Sequence, residues 1–393
     1  MRSVVGSLAL AAMTCVASLV IAAPESFPPG AAAHSRSEFG ITISGGRLIS
    51  TIDGAAVQLR GVNVSGLEFV AIGAPGWANR NPWGAQAGDP SPNWRAIKAW
   101  KANVVRLPLN EASWLGYACV DRKGKIINSD PWGNYQATVK QTVADAVAAG
   151  LYVIVDLHWS APNNLCPVSQ DQLPDMDHSI AFWASVANAF KSNPAVIFDL
   201  FNEPRGASHD SAADWQRLRD GGPFSNFISD SGHYIADITW QAVGMQPLVN
   251  TVRATGATNV LMVGGLSDAS NLAEWMAYRP TDPLNKLALS WHAYSGITSR
   301  NAGVATAAIA AGIPVIIGET GDKSANGTGD APIITQVTNW ADQHGASVLA
   351  WTWDIWKDSN GHPLAENLLI KDADGTPTDG EGMTFKAWLT NHR

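Results

Sequence analysis

Eight short apolar segments, each followed by a stretch with helical periodicity, recur along most of this chain. The apolar runs show little polar–apolar alternation, which is typical of strands buried on both faces of a parallel sheet. Eight such strand–helix pairs predict an α/β fold, the closed (β/α)8 or TIM barrel. A doubly wound open sheet is the alternative. It is disfavoured because no Gly-x-Gly-x-x-Gly turn follows the first strand.

The element boundaries follow from these periodicities and from the turn residues between them. The predicted strands are Val57–Asn63, Asn103–Leu107, Leu151–Leu157, Val196–Phe201, Asn259–Val263, Leu287–His292, Val315–Gly318 and Ser347–Trp351. The predicted helices are Trp94–Lys101, Gln136–Ala149, Ile180–Lys191, His233–Thr255, Leu272–Tyr278, Ala302–Ala311, Pro332–His344 and Gly382–Asn391.

The segments before the barrel predict an export signal, a lead-in and a hairpin. Residues 1–23 carry Arg2 followed by an apolar stretch with small residues near its end, which indicates a signal peptide; a membrane anchor is the alternative. Residues 24–40 are rich in Pro, Ala and Ser and predict a loose lead-in. Ile41–Gln58 contains Gly-Gly and Asp-Gly turns and predicts a β-hairpin. Residues 41–393 are then one catalytic-size domain, and we expect a secreted or periplasmic protein.

Composition limits the classes of partner. Charged residues make up only 15% of the 393 residues, the net charge is −8, and there is no cluster of Lys or Arg. This excludes nucleic acid as a partner, and membranes once the signal is removed. We expect a monomer. The 17 tryptophans include packing residues, but several would suit flat apolar platforms for sugar rings.

The cysteines predict a disulfide. Cys15 lies in the predicted signal, which leaves Cys119 and Cys166 in the exported chain. An even pair in an exported protein indicates one bridge, and two free buried thiols are the alternative. Cys119 follows the second predicted strand and Cys166 the third, so both lie in neighbouring loops at one face.

Polar and aromatic residues occupy the ends of the predicted strands. In a (β/α)8 barrel these ends form the active site. Two glutamates, Glu203 and Glu319, end strands four and seven, and paired carboxylates across a cleft are suited to cleaving glycosidic bonds. The other residues at or near these ends are Arg106, His158, Trp159, Asn202, His292, Tyr294 and Trp353.

These residues, in this order, resemble glycoside hydrolase family 5 of clan A. The resemblance rests on Phe201-Asn202-Glu203-Pro204, Ile317-Gly318-Glu319, Arg106, His158, His292-x-Tyr294 and Trp353. It implies that Glu203 is the acid/base and Glu319 the nucleophile, with retention of anomeric configuration. It also implies that Asn202 contacts the sugar 2-hydroxyl and that Tyr294 bonds the nucleophile. His158 and His292 would bond sugar hydroxyls or the acid/base, and Trp353 would lie beneath the sugar.

Chemistry adds further expectations. Arg106 beside Glu319 would favour the charged form of that glutamate, although a purely structural ion pair is the alternative. No metal or organic cofactor is implied. A metal site of His158, His292 and Glu203 is the alternative, but no metal-ligand spacing accompanies them. Candidate platforms in predicted loops are Trp77, Trp83, Trp114, Trp159 and Trp356.

The resemblance predicts a secreted retaining endo-β-1,4-glucanase that cuts a β-linked polysaccharide. Other members of the family act on mannan, xyloglucan, β-1,3-glucan or glycolipid glycans, so these substrates stay open. A non-catalytic sugar-binding barrel is an alternative of a different class, and the presence of both carboxylates speaks against it.

Overall fold

The computed structural model describes residues 39–69, 92–121, 124–131, 133–228, 234–322, 330–356 and 367–392. The predicted signal peptide, nearly all of the lead-in, Trp77 and Trp83 lie outside these residues. In the part of the chain that is described, no helix is both long enough and apolar enough to cross a membrane.

Eight parallel strands close into a barrel, which confirms the predicted (β/α)8 fold. Going round the barrel from the first strand, each is hydrogen-bonded to the next, and the last pairs with the first. The barrel strands in chain order are β3 (Arg60–Asn63), β4 (Val104–Asn110), β7 (Tyr152–Trp159), β8 (Val196–Asp199), β11 (Leu261–Gly264), β12 (Leu287–His292), β13 (Val315–Glu319) and β14 (Ser347–Ala350).

Helices surround the barrel, and most coincide with the predicted ones. The helix Pro332–His344 begins and ends at local signals, with Pro332 in its first turn and the left-handed Gly345 after its last residue. The helices are α1 (Trp94–Ala99), α2 (Glu111–Leu115), α3 (Tyr135–Ala148), α4 (Ser179–Phe190), α5 (Ala212–Asp220), α6 (Met245–Ala254), α7 (Trp275–Tyr278), α8 (Ser299–Ala310), α9 (Pro332–His344) and α10 (Glu381–Asn391).

One predicted helix is wrong over about half of its length, where the structure has a strand. The stretch His233–Thr255 contains helix only in α6, whereas its first part is β10 (Tyr234–Val243), paired antiparallel with β9 (Gly221–Ile228). The residues of β10 include several β-branched and aromatic side chains, which favour a strand. Phe224 and Trp240 of the two strands pack 5.2 Å apart in the core. This hairpin and the small hairpin of β5 (Ala118–Val120) and β6 (Ile126–Asn128) had no counterpart in the prediction.

The barrel interior is layered, and the layers change from apolar to polar toward the carboxyl ends of the strands. The lowest layer is apolar and includes Val104, Ile154, Ile197, Ala288, Ile316 and Leu349. Since side chains two residues apart point to the same face of a strand, the next inward positions are Arg106, Asp156, Asp199 and Ser290. The positions after those are His158, His292 and Trp351. The polar residues therefore lie on an apolar base that excludes water from below.

The predicted N-terminal hairpin closes the lower end of the barrel. It consists of β1 (Ile41–Ser44) and β2 (Arg47–Ser50), joined by a Gly45-Gly46 turn whose φ angles of 56° and 75° suit glycine. Ile41 and Leu48 are buried in the same apolar cluster as the lowest layer. The hairpin therefore covers the end of the barrel opposite to the catalytic residues.

Cys119 and Cys166 form the predicted disulfide. The Cα atoms are 4.8 Å apart, and both sulfurs are buried beside Ala112. Cys119 belongs to β5, and the backbone of Cys166 pairs with Val120 of the same strand at 3.0 Å. The bridge therefore ties the segment after β4 to the segment after β7, on the face where the barrel strands end.

Removing this disulfide should weaken the fold. The bridge spans 47 residues, and the loss of chain entropy in the unfolded state then corresponds to about 4 kcal/mol. We expect a Cys119→Ser/Cys166→Ser double variant to unfold at a clearly lower urea concentration than the wild type. Adding reductant should lower the wild-type midpoint toward that of the variant and leave the variant unchanged. A midpoint that is equal in the two proteins would show that the bridge does not stabilise the fold.

Candidate active site

A cavity of about 490 Å³ opens at the carboxyl ends of the barrel strands. Its walls combine the ends of several strands with the loops that follow them, which is where (β/α)8 enzymes bind their substrates. The lining residues are His158, Gln170, Asn202, Glu203, Tyr294, Glu319, Gly321, Asp322, Ile333, Trp351 and Asn367. Both predicted catalytic glutamates are among them.

Glu203 and Glu319 face each other across this cavity. Glu319 ends β13, and Glu203 lies just beyond β8. His292 lies between them, with Nδ1 2.9 Å from Glu203 Oε1 and 3.7 Å from Glu319 Oε2. One carboxylate oxygen from each glutamate and one His292 nitrogen all lie within 4.8 Å of one another. The spacing of the two carboxyl groups is therefore short.

Arg106 lies directly beneath the two glutamates and contacts five polar residues. It donates hydrogen bonds to Asp199, Asn63, Glu319 and Asn202 at 2.7–3.1 Å. Its Nη2 also lies 3.0 Å from Asp156 Oδ2 in an ion pair. The side chain has 0% exposure and lies beside Glu319, at 2.7 Å. The predicted role of Arg106 in binding substrate stays a prediction.

The carboxylates around Arg106 outnumber its single charge. Burial alone would lower the pKa of Arg106, but Asp156, Asp199 and Glu319 raise it above its ordinary value, so the guanidinium stays charged. Burial raises the pKa of Asp156 to about 7 and that of Asp199 to about 6, even though Arg106 opposes both shifts. Protons on these two aspartates would reduce the excess of negative charge beneath the cavity. Both residues thus pair with the guanidinium of Arg106.

The two histidines are neutral. Burial lowers the pKa of His158 and of His292 to about 4. His158 Nδ1 lies 2.7 Å from Asp156 Oδ2, which assigns the proton to that nitrogen and turns the other nitrogen toward the cavity. His292 has 1% exposure and bonds Glu203, so it serves the glutamate and is not a sugar contact. Gly318 makes room for it, because a Cβ there would lie 3.2 Å from His292 Nε2.

Tyr294 bonds Glu319, as predicted. Its hydroxyl donates to Glu319 Oε2 at 2.8 Å, while Arg106 donates to the other oxygen. Burial and the neighbouring carboxylate raise the pKa of Tyr294 well above its ordinary value, so the hydroxyl keeps its proton and remains a donor. Glu319 is therefore held by a charged donor and a neutral donor, both of which favour a carboxylate.

Glu203 lies in a different environment. Its side chain is 15% exposed and contacts the neutral His292 instead of a cation. Burial, followed by the charge of Asp268, raises the pKa of Glu203. A raised pKa keeps the proton on the acid at a higher pH. The two glutamates are thus distinguished by their neighbours, one bonded to Arg106 and one without such a contact.

Trp353 lies outside the residues that line the cavity, and its predicted place beneath the sugar stays a prediction. Its ring is 5% exposed and packs edge-on against Trp100, just after α1, 4.9 Å away. The tryptophan in the cavity wall is Trp351, whose ring is parallel to that of His158 at 5.6 Å. β14 ends at Ala350, and Trp351 is the first inward position after Leu349, because inward positions alternate.

The other proposed platforms are only partly at the cavity. Trp159 ends β7, is 8% exposed, packs against Phe69 and lies outside the residues that line the cavity, so its predicted sugar contact stays a prediction. Trp356 bridges Phe69 and Trp351 at ring distances of 6.2 and 6.1 Å. Trp114 belongs to α2, where it is buried against Phe182, so its prediction as a loop platform is wrong.

The sequence reasoning missed six of the lining residues, namely Gln170, Gly321, Asp322, Ile333, Trp351 and Asn367. Gln170 and Asn367 come from long loops whose course no periodicity predicts, and Trp351 was passed over in favour of Trp353. Only Trp351 had a usable signal, namely strict alternation along β14. Asn202 lines the cavity as predicted, with its Oδ1 held by Arg106 and its Nδ2 donating to Gln170 Oε1 at 2.8 Å.

Two groups of side chains in the described residues are close enough to hold a cation. One is Glu203, His292 and Glu319; His158 is not part of it, because its Nδ1 faces Asp156. The predicted alternative of a metal held by His158, His292 and Glu203 therefore does not match the geometry. The other group is Glu111, Asp175 and His178, where Ser179 also donates to Glu111 at 2.8 Å. Glu111 is fully buried, so it makes no contact with sugar.

Comparison with known proteins identifies one family model. Residues 51–357 match the model described as cellulase (glycosyl hydrolase family 5). The chain is 25% identical over 258 residues to endoglucanase Z of Dickeya dadantii (strain 3937), which covers 64% of this chain and 48% of that protein. It is 23% identical over 331 residues to cellulase CelDZ1 of Thermoanaerobacterium sp., which covers 80% of this chain and 70% of that protein. Against the first of these relatives, the chain spans about half of the length.

Solved structures share the fold. A β-mannanase from Streptomyces thermolilacinus with mannohexaose superposes with a TM-score of 0.56 at 19% identity, covering 86% of this chain and 91% of that chain. The β-glucanase SdGluc5_26A from Saccharophagus degradans, in complex with cellotetraose, superposes with a TM-score of 0.56 at 18% identity, covering 93% and 97%.

The charge excess around Arg106 should make stability depend on pH. Because the pKa of Asp199 is raised from 3.8 to about 6 on folding, its contribution is complete below about pH 4 and is lost as the pH rises through about 6. This rise in the pKa of Asp199 corresponds to at most about 3 kcal/mol in the free energy of unfolding. We expect Asp199→Asn to remove part of the decline in the urea midpoint between pH 4 and 6. Asp379→Asn, at an exposed carboxylate, is the control and should keep the wild-type slope; an unchanged slope in Asp199→Asn would refute the assignment.

Proposed function

Because the chain belongs to glycosyl hydrolase family 5, we propose that it is a retaining endo-β-1,4-glucanase, with Glu203 as acid/base and Glu319 as nucleophile. The partner is a β-linked polysaccharide or oligosaccharide, bound in the cavity at the carboxyl ends of the barrel strands. We further propose that the protein acts as a monomer and that residues 1–23 direct it to the periplasm or the medium.

The observation that carries the proposal is the close pair of carboxyl groups with unlike neighbours. Retaining glycosidases place their two carboxyl groups about 5–5.5 Å apart, whereas inverting ones leave about 6.5–9.5 Å for a water molecule. The oxygens of Glu203 and Glu319 approach within 4.8 Å, which supports the retaining geometry. Arg106 and Tyr294 bond one carboxyl group and a neutral imidazole bonds the other, which supports two different roles.

In the first step Glu319 acts as nucleophile. One of its oxygens attacks the anomeric carbon, the bond from that carbon to the leaving sugar oxygen breaks, and the proton of Glu203 passes to that oxygen. The raised pKa of Glu203 suits this step, because the acid must still hold its proton when the substrate binds. Asn202, fixed by Arg106, has its Nδ2 in the cavity wall, where it would bond the sugar 2-hydroxyl.

In the second step Glu203 acts as base. Its carboxylate takes a proton from water, the water oxygen attacks the anomeric carbon, and the ester bond to Glu319 breaks. The product has the configuration of the substrate, and both glutamates return to their starting states. Tyr294 and Arg106 would receive the negative charge that returns to Glu319 as the ester breaks.

The glucan assignment rests on two relatives, which are named endoglucanase Z and cellulase CelDZ1. A β-1,4-mannan is the second candidate, because a mannanase shares the fold over most of the chain. Glucose and mannose differ only in the direction of the 2-hydroxyl, which is the group that Asn202 would contact. A panel of carboxymethylcellulose, mannan, xyloglucan and β-1,3-glucan distinguishes these substrates, and we expect the first to be cleaved fastest. Faster cleavage of mannan would transfer the proposal to mannanase activity.

Replacing either glutamate should abolish turnover of the polysaccharide that the wild type cleaves. We expect Glu319→Gln to lose activity beyond detection, since no covalent ester can form, and Glu203→Gln to lose about 10²–10⁴-fold, the usual contribution of general acid–base catalysis. Initial-rate measurements of reducing ends test both variants, and proton NMR of the first product tests retention.

Glu274→Gln is the matched control, because Glu274 is an exposed glutamate and should keep the wild-type rate. Activity that survives in Glu319→Gln would refute the nucleophile, and an inverted first product would refute the retaining mechanism. Binding of glycans without any hydrolysis by the wild type would favour a sugar-binding barrel instead.

A further inference from the structure

The backbone at Glu203 adopts a conformation that its own sequence disfavours. Its φ is +47°, in the left-handed region that residues with a Cβ seldom occupy. The next residue is Pro204, which has no N–H to donate and restricts the residue before it. Such conformations persist where surrounding contacts hold them. The acid/base therefore needs support from outside its own segment.

Gln170 supplies that support with a single side-chain amide. Its Oε1 accepts from Asn202 Nδ2 at 2.8 Å, and its Nε2 donates to the main-chain oxygen of Glu203 at 3.1 Å. The contacts fall on Asn202, the proposed contact of the sugar 2-hydroxyl, and on Glu203, the proposed acid/base. One of them holds a side chain and the other holds the main chain at the left-handed position. No other side-chain hydrogen bond to the Glu203 carbonyl is found among the described residues.

The loop that carries Gln170, residues 160–178, is fixed at several points. The Cys119–Cys166 disulfide anchors its first half, and Asn110 Nδ2 donates to the Pro167 oxygen at 2.9 Å. After Gln170, the Arg205 N–H donates to the Gln172 oxygen at 2.7 Å, and the Met176 N–H donates to the Gln241 oxygen at 2.8 Å. The amide is therefore presented to Asn202 and Glu203 from a tethered loop.

We propose that Gln170 is a positioning residue that holds Asn202 and Glu203 in the geometry required for acid/base catalysis. The proposal rests on the proposed function of Glu203 and adds a residue outside the barrel strands to it. Gln170 acts by fixing the orientation of the Glu203 carboxyl group. Removing the Gln170 side chain should therefore affect proton transfer to the leaving group more than the binding of sugar.

Gln170 also influences the proton of Glu203. The side chain of Gln170 lowers the pKa of Glu203, although burial and Asp268 raise it more strongly. Without Gln170 the pKa of Glu203 should rise further. The other titratable or charged groups that face Glu203 are His292, His158, Arg205, Asp156, Tyr294 and Glu319, and none of them changes in the variants below.

The test compares Gln170→Ala and Gln170→Glu with the wild type on two aryl β-glycosides of the disaccharide that the wild type cleaves. A 2,4-dinitrophenyl group leaves without protonation, whereas a less acidic phenol needs the acid. The Glu variant keeps the length and one acceptor oxygen of Gln170, so it separates lost positioning from a failure to fold. Gln172→Ala is the matched control: it removes a glutamine side chain from the same loop and keeps the main-chain oxygen that accepts from Arg205.

We expect Gln170→Ala to lower kcat on the poorer leaving group about 10- to 100-fold, the range for small misplacements of a catalytic group. The rate of cleavage of the dinitrophenyl glycoside should change little, and KM should stay near the wild-type value. The alkaline limb of the pH profile should move to higher pH, and further in Gln170→Glu, where a negative charge is added. Gln172→Ala should match the wild type. Equal losses on both leaving groups, or a higher KM with unchanged kcat, would overturn the proposal.

A readout without substrate keeps the proposal separate from the proposed function. The ¹³C resonance of the Glu203 carboxyl, identified by its absence in Glu203→Gln, can be followed against pH in the wild type and in Gln170→Ala. A higher midpoint in the variant supports the contact even if the wild type cleaves no glycoside. An unchanged midpoint in a folded, active wild type and variant would show that Gln170 does not act on Glu203. Inactivity of the wild type on every glycan would instead refute the proposed function.

Discussion

The guanidinium of Arg106 determines how the catalytic face of this barrel is organised. Four hydrogen bonds and an ion pair with Asp156 join it to residues from β3, β7, β8 and β13 and from the segment after β8. A buried charge is costly unless it is paired and hydrogen-bonded. Displacement of these strands would therefore break contacts that the buried guanidinium needs. The direction of Glu319 and of Asn202 is therefore coupled to closure of the barrel itself.

Arg106 also gives the two glutamates different electrostatic environments. Glu319 contacts the cation directly, whereas Glu203 contacts a histidine that burial keeps neutral. A protonated His292 would have favoured the carboxylate form of Glu203 and removed the acid. Burial of the imidazole and of its surroundings thus preserves the difference that a double displacement requires. Beneath the cavity, burial raises the pKa of Asp156 to about 7 and that of Asp199 to about 6, so these carboxylates take up protons more readily than exposed ones.

Much of this arrangement could be predicted from the sequence, because the buried strands are apolar and end at polar residues. The apolar runs located all eight barrel strands, and the polar residue that ends a run located Glu203, Glu319 and His292. The residues after β14 were harder to assign: the sequence reasoning chose Trp353, whereas Trp351, two residues earlier, lines the cavity. The conformation of the long loops could not be predicted, because the position of Gln170 depends on a disulfide and on contacts with distant segments. The hairpin of β9 and β10 was misread because its apolar residues also fit a helical period.

These differences suggest where substrate preference is determined. The contacts among Arg106, Glu319 and Tyr294 concern the reacting carboxylate and would serve any β-linked sugar. Another part of the cavity wall comes from segments after β13 and β14, including Ile333 and Asn367. Asn367 packs over Gly321 so closely that a Cβ there would lie 2.7 Å from its Cγ, which fixes the amide against the wall. Its side-chain oxygen has no hydrogen-bond partner among the described residues, so a sugar hydroxyl placed there would satisfy a buried acceptor that the protein itself leaves unpaired.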